Sequence, residues 1–401
     1  MKANKYNRHI QIAILYFGIA ALLGLLLRSY AVFPFGFNYK YMVHGHSHIA
    51  LLGWVYVALT TMLHYLFVDR KVFSKKKYQC LFWGTQGTLI GMLLTFPFQG
   101  YAVPSIVFST LFLVLSYIYT YHFWKNIDPV HTRRKSLRIV KAALIYMIIS
   151  SIGPWALGAI MSTVGPESVW YRLSIYFYLH FQYNGWMVLA ILGMFMYLLE
   201  RLDLELHQKT FSIFFISINL SIVLSFLLSA LWTNASIWLN ILAGLGAMLQ
   251  WFAFVHFWSM IKSTVFKLKL TGKQKLLLKT VVILLTIKIT LQIISALPYF
   301  AQLIATYLDL TIGYLHLTFL GVISLGILFL SDYFKLIRLS NLSMGMYLVG
   351  FMLTELLIFY KGLAAWIKWP VFREYTTVLF SGSTLILFAL AILSYQNYRK
   401  V

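Results

Sequence analysis

Three histidines stand within five residues, His44-Gly45-His46-Ser47-His48, and the chain continues Ile49-Ala50-Leu51-Leu52-Gly53-Trp54, a stretch otherwise apolar enough to enter a bilayer. A neutral imidazole offers one ring nitrogen as a metal ligand while the other donates its proton to an acceptor. On a helix of about 3.6 residues per turn, His44 and His48 share a face and His46 points roughly the opposite way. One helix therefore presents imidazole to two sides. Polar groups at membrane depth are costly, so the first chemistry to consider is ligation of a metal.

The phrase needs a membrane protein around it, and the composition supplies one. Hydrophobic residues make up 61% of the 401, charged residues 11%, and mean hydropathy is +0.79, which marks an all-α polytopic membrane chain. The formal charge of +23 lies in short segments between apolar spans, where Lys and Arg report topology and not nucleic-acid binding. The single cysteine, Cys80, excludes an intrachain disulfide framework, a Cys-x-x-Cys redox pair and covalently attached haem. The basic start, Met1 to Arg8, leads into an apolar run ending near Leu27 with no small-residue cleavage site. It reads as a retained first span.

About twelve spans follow from a window of about 20 residues, centred on Ala20, Leu52, Leu89, Val114, Ile148, Leu189, Ile222, Leu245, Leu285, Leu320, Val349 and Leu385. Segments after even spans are basic: Arg70 to Lys77, Lys125 to Lys141, Lys262 to Lys279. Roughly 26 of the 33 Lys and Arg fall on the side of the termini, which predicts both ends in the cytoplasm and the histidine phrase near the outer face of the cytoplasmic membrane.

The phrase also recurs in part. His48, His180 and His316 lie in the second, sixth and tenth spans, each followed by glycine at one offset: Gly53, Gly185 and Gly321. His122-Phe123-Trp124 and His256-Phe257-Trp258 end the fourth and eighth spans. The chain thus reads as one membrane domain, 1–401, of three pseudo-repeated four-helix units at approximately 1–135, 136–270 and 271–401. Equivalent helices would bring His48, His180 and His316 to similar depth around a centre. Two facing imidazoles are the axial set of a six-coordinate haem iron, and three converging ones suit copper or zinc equally.

Other polar residues surround this set. Tyr176, His180 and Asn184 share a helix face, so Asn184 either orients a ligand or links helices. Lys288 in the ninth span and Glu355 in the eleventh are the clearest intramembrane ionisable residues, explained by a buried pair or a proton path. His122 and His256 read as interfacial anchors, His64 as structural, and His9, His131 and His207 as solvated residues of cytoplasmic segments.

His46-Ser47-His48-Ile49-Ala50-Leu51-Leu52-Gly53-Trp54 resembles the His-x-His-x-Ala-x-x-Gly phrase of the haem-copper oxidase catalytic subunit (subunit I) superfamily, especially its nitric oxide reductase branch. Twelve spans in three arcs of four, with histidines in spans two, six and ten, is also that family's architecture. The resemblance implies low-spin haem b ligands at His48 (or His44 or His46) and at His316, and an active-site copper ligand at His180. It implies propionate partners at Lys368 and Arg373, in the last outer segment. The chain departs from the pattern in two places: Tyr314 stands where the His-x-His phrase of span ten would begin, and the seventh span, Phe211 to Leu231, holds no histidine. The resemblance is to a divergent member.

Three functions are open at this point. The first is a haem-binding membrane redox protein, carrying electrons or acting on oxygen or nitric oxide at a histidine-ligated haem b. The second is a non-enzymatic haem- or copper-binding sensor or protective protein of nitric oxide stress. The third is a transporter with the polar cluster as its substrate site; no Gly/Pro-broken pair of spans at corresponding positions favours it. The chain contains no soluble cytochrome or cupredoxin segment, so electrons would come from quinol or a partner protein.

Overall fold

The computed structural model describes residues 5–30, 33, 36–69, 71, 76–202, 206–233 and 236–398. Of the basic segments read above, residues 1–4, 70 and 72–75 lie outside this set. The described chain is helical, with no strand beyond one isolated bridge, Val68 to Ile127, that ties two helix ends together. We number the long helices α1 (Lys5–Ser29), α2 (Tyr39–Phe67), α3 (Lys76–Gln99), α4 (Val103–Lys125), α5 (Lys135–Thr163) and α6 (Val169–Glu200). They continue as α7 (Gln208–Thr233), α8 (Ile237–Val265), α9 (Gly272–Ser295), α10 (Leu308–Tyr333), α11 (Asn341–Trp366) and α12 (Tyr375–Tyr398).

Among the described residues, eleven of these helices are long and apolar enough to cross a membrane, against the twelve spans expected. The difference is α3, the span expected around Leu89. It has 24 residues, about 36 Å at 1.5 Å per residue, but Lys76, Lys77, Gln79, Gln86 and Gln99 dilute its apolar character.

The chain divides into two compact units: Met1–His131 with Ile327–Val401, and Thr132–Gly326. In the first, α1 packs on α2 and α12, α3 on α2 and α4, and α11 on α12. In the second, α5 packs on α6, α7 on α8, and α9 on the middle of α10. Helix ends in the second unit are capped by side chains. Glu200 accepts from the Ser136 amide at 3.0 Å and the Ser136 hydroxyl at 2.6 Å, and Thr271 with Gln274 forms a capping box at the start of α9. The bonds to the Ser136 amide and within the capping box satisfy backbone groups that a helix terminus would leave open.

Among the described residues, three helices pass into π geometry, and each does so at the residue after a histidine. The backbone is π-helical over Ile49–Tyr56 after His48, over Phe181–Met187 after His180, and over Leu317–Ser324 after His316. Such segments are rare and often sit at functional sites. They are also interior: 89% of the apolar window of α2, 94% of α6 and 67% of α10 is buried, against at most 50% for the other eight spans.

The helix before each π segment packs against it. In α2 a side chain at Gly53 would come within 2.9 Å of the Tyr16 ring, and in α6 one at Gly185 would come within 2.6 Å of Tyr146. Both glycines let an aromatic ring lie on the backbone. Inside a bilayer, where lipid is as apolar as leucine, such close packing is what holds helices together. Trp54 and Trp186, the residues after these glycines, are buried, and Trp54 stacks on Phe17 at 4.6 Å.

Candidate functional site

In the first unit the histidine phrase occupies the last turns of α2 before its π segment. His48 donates from Nδ1 to the carbonyl of His44 at 2.8 Å, one turn back. The acceptor is a carbonyl, so the proton sits on Nδ1 and the lone pair on Nε2. The His48 ring stacks on Phe96 of α3 at 4.1 Å, and His44 lies edge-on to Tyr101 at 4.7 Å.

His46 faces the other way, as helical spacing requires. Its Nδ1 donates to the carbonyl of Ala20 on α1 at 2.9 Å. Gly24 makes room for it, since a Cβ there would meet the ring at 3.0 Å. His46 thus fastens α2 to α1, while His44 and His48 line the opposite side.

In the second unit His316 repeats the arrangement of His48, donating from Nδ1 to the Ile312 carbonyl one turn back at 2.8 Å. His180 does not. Its Nε2 donates to the Ile222 carbonyl of α7 at 2.8 Å, and its Nδ1 accepts from the Asn184 amide at 3.2 Å. The Ile222 carbonyl is available because α7 tightens to 3-10 geometry from Phe226, whose amide turns to Leu224.

Lys288 completes this chain. Its ammonium donates to Asn184 Oδ1 at 2.5 Å and to Gln292 Oε1 at 2.8 Å, and the Tyr183 and Tyr314 rings lie 5.6 and 5.8 Å away. The side chain is fully buried. Lys288, read from the sequence as one of a buried pair with Glu355 or as part of a proton path, is held by two neutral amides and two aromatic faces. A protonated amine in that setting is stabilised by short charge-assisted bonds and by ring quadrupoles. The acceptor and donor ends of Asn184 are both used, which fixes the direction of the chain from Lys288 through Asn184 and His180 to Ile222.

Glu355 is buried on α11. Lys368 and Arg373 are exposed in the segment between α11 and α12. Lys368 has φ of 58°, with its amide bonded to Ala365 and the Trp369 amide to Ala364. That is a Schellman closure of α11 with lysine in the place glycine favours, so its position follows from helix termination.

Among the described residues, no three His, Cys, Asp or Glu side chains come close enough to hold a metal ion. At His180 both ring nitrogens are engaged by protein groups.

Sequence reasoning missed a second imidazole group in the first unit. His9, expected to be solvated, is 5% exposed, stacked on Phe82 at 3.4 Å and 3.3 Å from the Tyr78 hydroxyl. His64 is fully buried, 2.9 Å from the Tyr6 hydroxyl, and its ring lies 3.8 Å from Tyr78 and 6.0 Å from His122. His122, expected as an interfacial anchor, is buried beside it. His131, also expected to be solvated, is half-buried with its ring edge-on to Phe67 at 5.7 Å. The available signal was that His9 lies at the start of α1 while His64 and His122 lie at the ends of α2 and α4, which alternating spans bring to one side. No protein-family model matches the sequence, and no curated protein is similar to it.

Proposed function

We propose that this is an integral membrane haem protein, with His48 in the first unit and His316 in the second each a haem-ligating histidine, and with electron transfer, or chemistry on oxygen or nitric oxide, as its activity. One observation carries the reading: both rings donate Nδ1–H to the carbonyl one turn back, 2.8 Å away, at the entrance to a π segment. A metal-ligating histidine typically has its second nitrogen tied in this way, which fixes the tautomer and raises the basicity of Nε2. The aromatic rings of Phe96 and Tyr101 beside His48 are of the type that would pack on a flat macrocycle, which supports the reading. A bound haem would supply one-electron chemistry at iron.

Three four-helix units are part of this proposal. Their support is the recurrence of histidine followed by a π segment in α2, α6 and α10, together with the matched packing of Tyr16 on Gly53 and Tyr146 on Gly185. Termini in the cytoplasm of a bacterial-type inner membrane follow from the charge distribution. A copper ion at His180 would have to displace Asn184 or Ile222. That engagement favours, as a second reading, a haem protein that binds without turnover.

The test is a reduced-minus-oxidised spectrum with metal analysis on purified protein, repeated for His48→Ala and His316→Ala. Haem in the wild type and an altered spectrum in each variant are expected. Absence of haem from intact protein refutes the proposal, and unchanged spectra in both variants refute the ligand assignment. Stoichiometric haem without consumption of oxygen or nitric oxide under reductant selects the second reading.

A further inference from the structure

In the first unit an open groove of about 1010 Å³ lies where the starts of α1 and α3 meet the end of α12. Helix ends of membrane spans lie at a membrane–water boundary, so the groove opens at the level of lipid headgroups. Its lining changes character along α1. Lys5 and Arg8 stand at the mouth, and no Asp or Glu is among the described residues that line it. Ile12 and Leu15 follow further along α1, with Leu15 about 15 Å from Lys5 along the helix axis at 1.5 Å per residue.

Between these zones the walls carry both hydrogen-bonding and aromatic groups. Gln79 and Ser394 face the groove from α3 and α12, and Trp83, Tyr395 and Tyr398 flank it. The walls are fixed in place. Gln11 donates to the Asn397 carbonyl at 2.6 Å, joining α1 to α12, and the His9 ring packed on Phe82 joins α1 to α3.

We infer that this groove is a binding site for one anionic phospholipid, with its phosphate at Lys5 and Arg8 and an acyl chain along Ile12, Leu15 and Trp83. Two cations with no carboxylate among the described lining residues call for an anionic head, and the apolar floor one to two turns further along α1 calls for a hydrocarbon tail on the same molecule. A free phosphate would leave the floor unused. The site is independent of the haem proposal.

The experiment titrates delipidated full-length protein in nonionic detergent with phosphatidylglycerol and, separately, with phosphatidylcholine, and counts bound lipid by native mass spectrometry. One phosphatidylglycerol is expected to bind in preference to phosphatidylcholine. The double variant Lys5→Gln/Arg8→Gln should bind it roughly thirtyfold more weakly, for two basic side chains at about 1 kcal/mol each. Lys267→Gln/Lys269→Gln removes the same charge from an exposed loop of the other unit and should leave the affinity unchanged. Equal binding of the two lipids, or an equal loss in both double variants, overturns the inference. So does displacement of the bound lipid by a quinone or by inorganic phosphate alone.

Discussion

Replacing Asn184 by leucine, a residue of similar size, breaks the buried chain at its centre. Lys288 loses its 2.5 Å bond to Asn184 Oδ1 and keeps only Gln292, and a hydrogen bond to a charged group contributes about 1.5–3 kcal/mol. His180 loses the amide, one turn along α6, that donates to Nδ1, a neutral hydrogen bond of about 0.6 kcal/mol in a membrane. Asn184→Leu should therefore destabilise the protein by about 2–3.5 kcal/mol. Lys288→Met removes the buried ammonium itself, and because the cost of desolvating the charge disappears with it, the variant should stay within about 1 kcal/mol of wild type. In that background Asn184→Leu should cost only about 0.6 kcal/mol, a coupling of about 1.5–3 kcal/mol. The assay is reversible unfolding of the four proteins in mixed micelles titrated with denaturing detergent. An equal cost of Asn184→Leu in both backgrounds would refute the argument, because it would mean the ammonium gains nothing from the amide.

Gly53→Ala and Gly185→Ala should each cost about 1–3 kcal/mol by forcing Tyr16 and Tyr146 away, whereas Gly18→Ala, with nothing near the added carbon, should be neutral or stabilising; melting temperatures of the three variants decide it. Lys368→Gly should raise stability by about 1 kcal/mol, since lysine holds a left-handed conformation at the end of α11 that glycine adopts freely, and an unchanged or lowered melting temperature would contradict this. Cys80, exposed near the start of α3, should resist a membrane-impermeant maleimide in intact cells and react after permeabilisation. Labelling of intact cells would overturn the cytoplasmic placement of the termini.

Helices and their order were legible because a bilayer allows few solutions. A backbone crossing hydrocarbon must satisfy its own hydrogen bonds, so apolar runs of sufficient length become helices. The twelve centres fall in the twelve long helices, and α3 fell short of a span only by its lysines and glutamines. The two-sided presentation of His44, His46 and His48 was also legible, because it depends on helical pitch alone. His9 was misread for a corresponding reason: charge and position near Met1 describe solvent exposure poorly when α1 starts at Lys5 and a neighbouring helix supplies Phe82.

The sequence by itself determined that this is a helical membrane protein, that His48, His180 and His316 are spaced alike, and that Asn184 shares a face with His180. These properties are local or periodic, and local rules suffice for them. Only the tertiary structure decided what each imidazole does with its two nitrogens. His48 and His316 turn Nδ1 back on their own helices, whereas His180 spends both nitrogens on Ile222 and Asn184 because α9 brings Lys288 to that amide and α7 opens a carbonyl toward the ring. A hydrogen-bond partner more than a hundred residues away leaves no mark on periodicity, so equal spacing could not reveal that one of the three similarly spaced histidines has been drawn into a different chemistry.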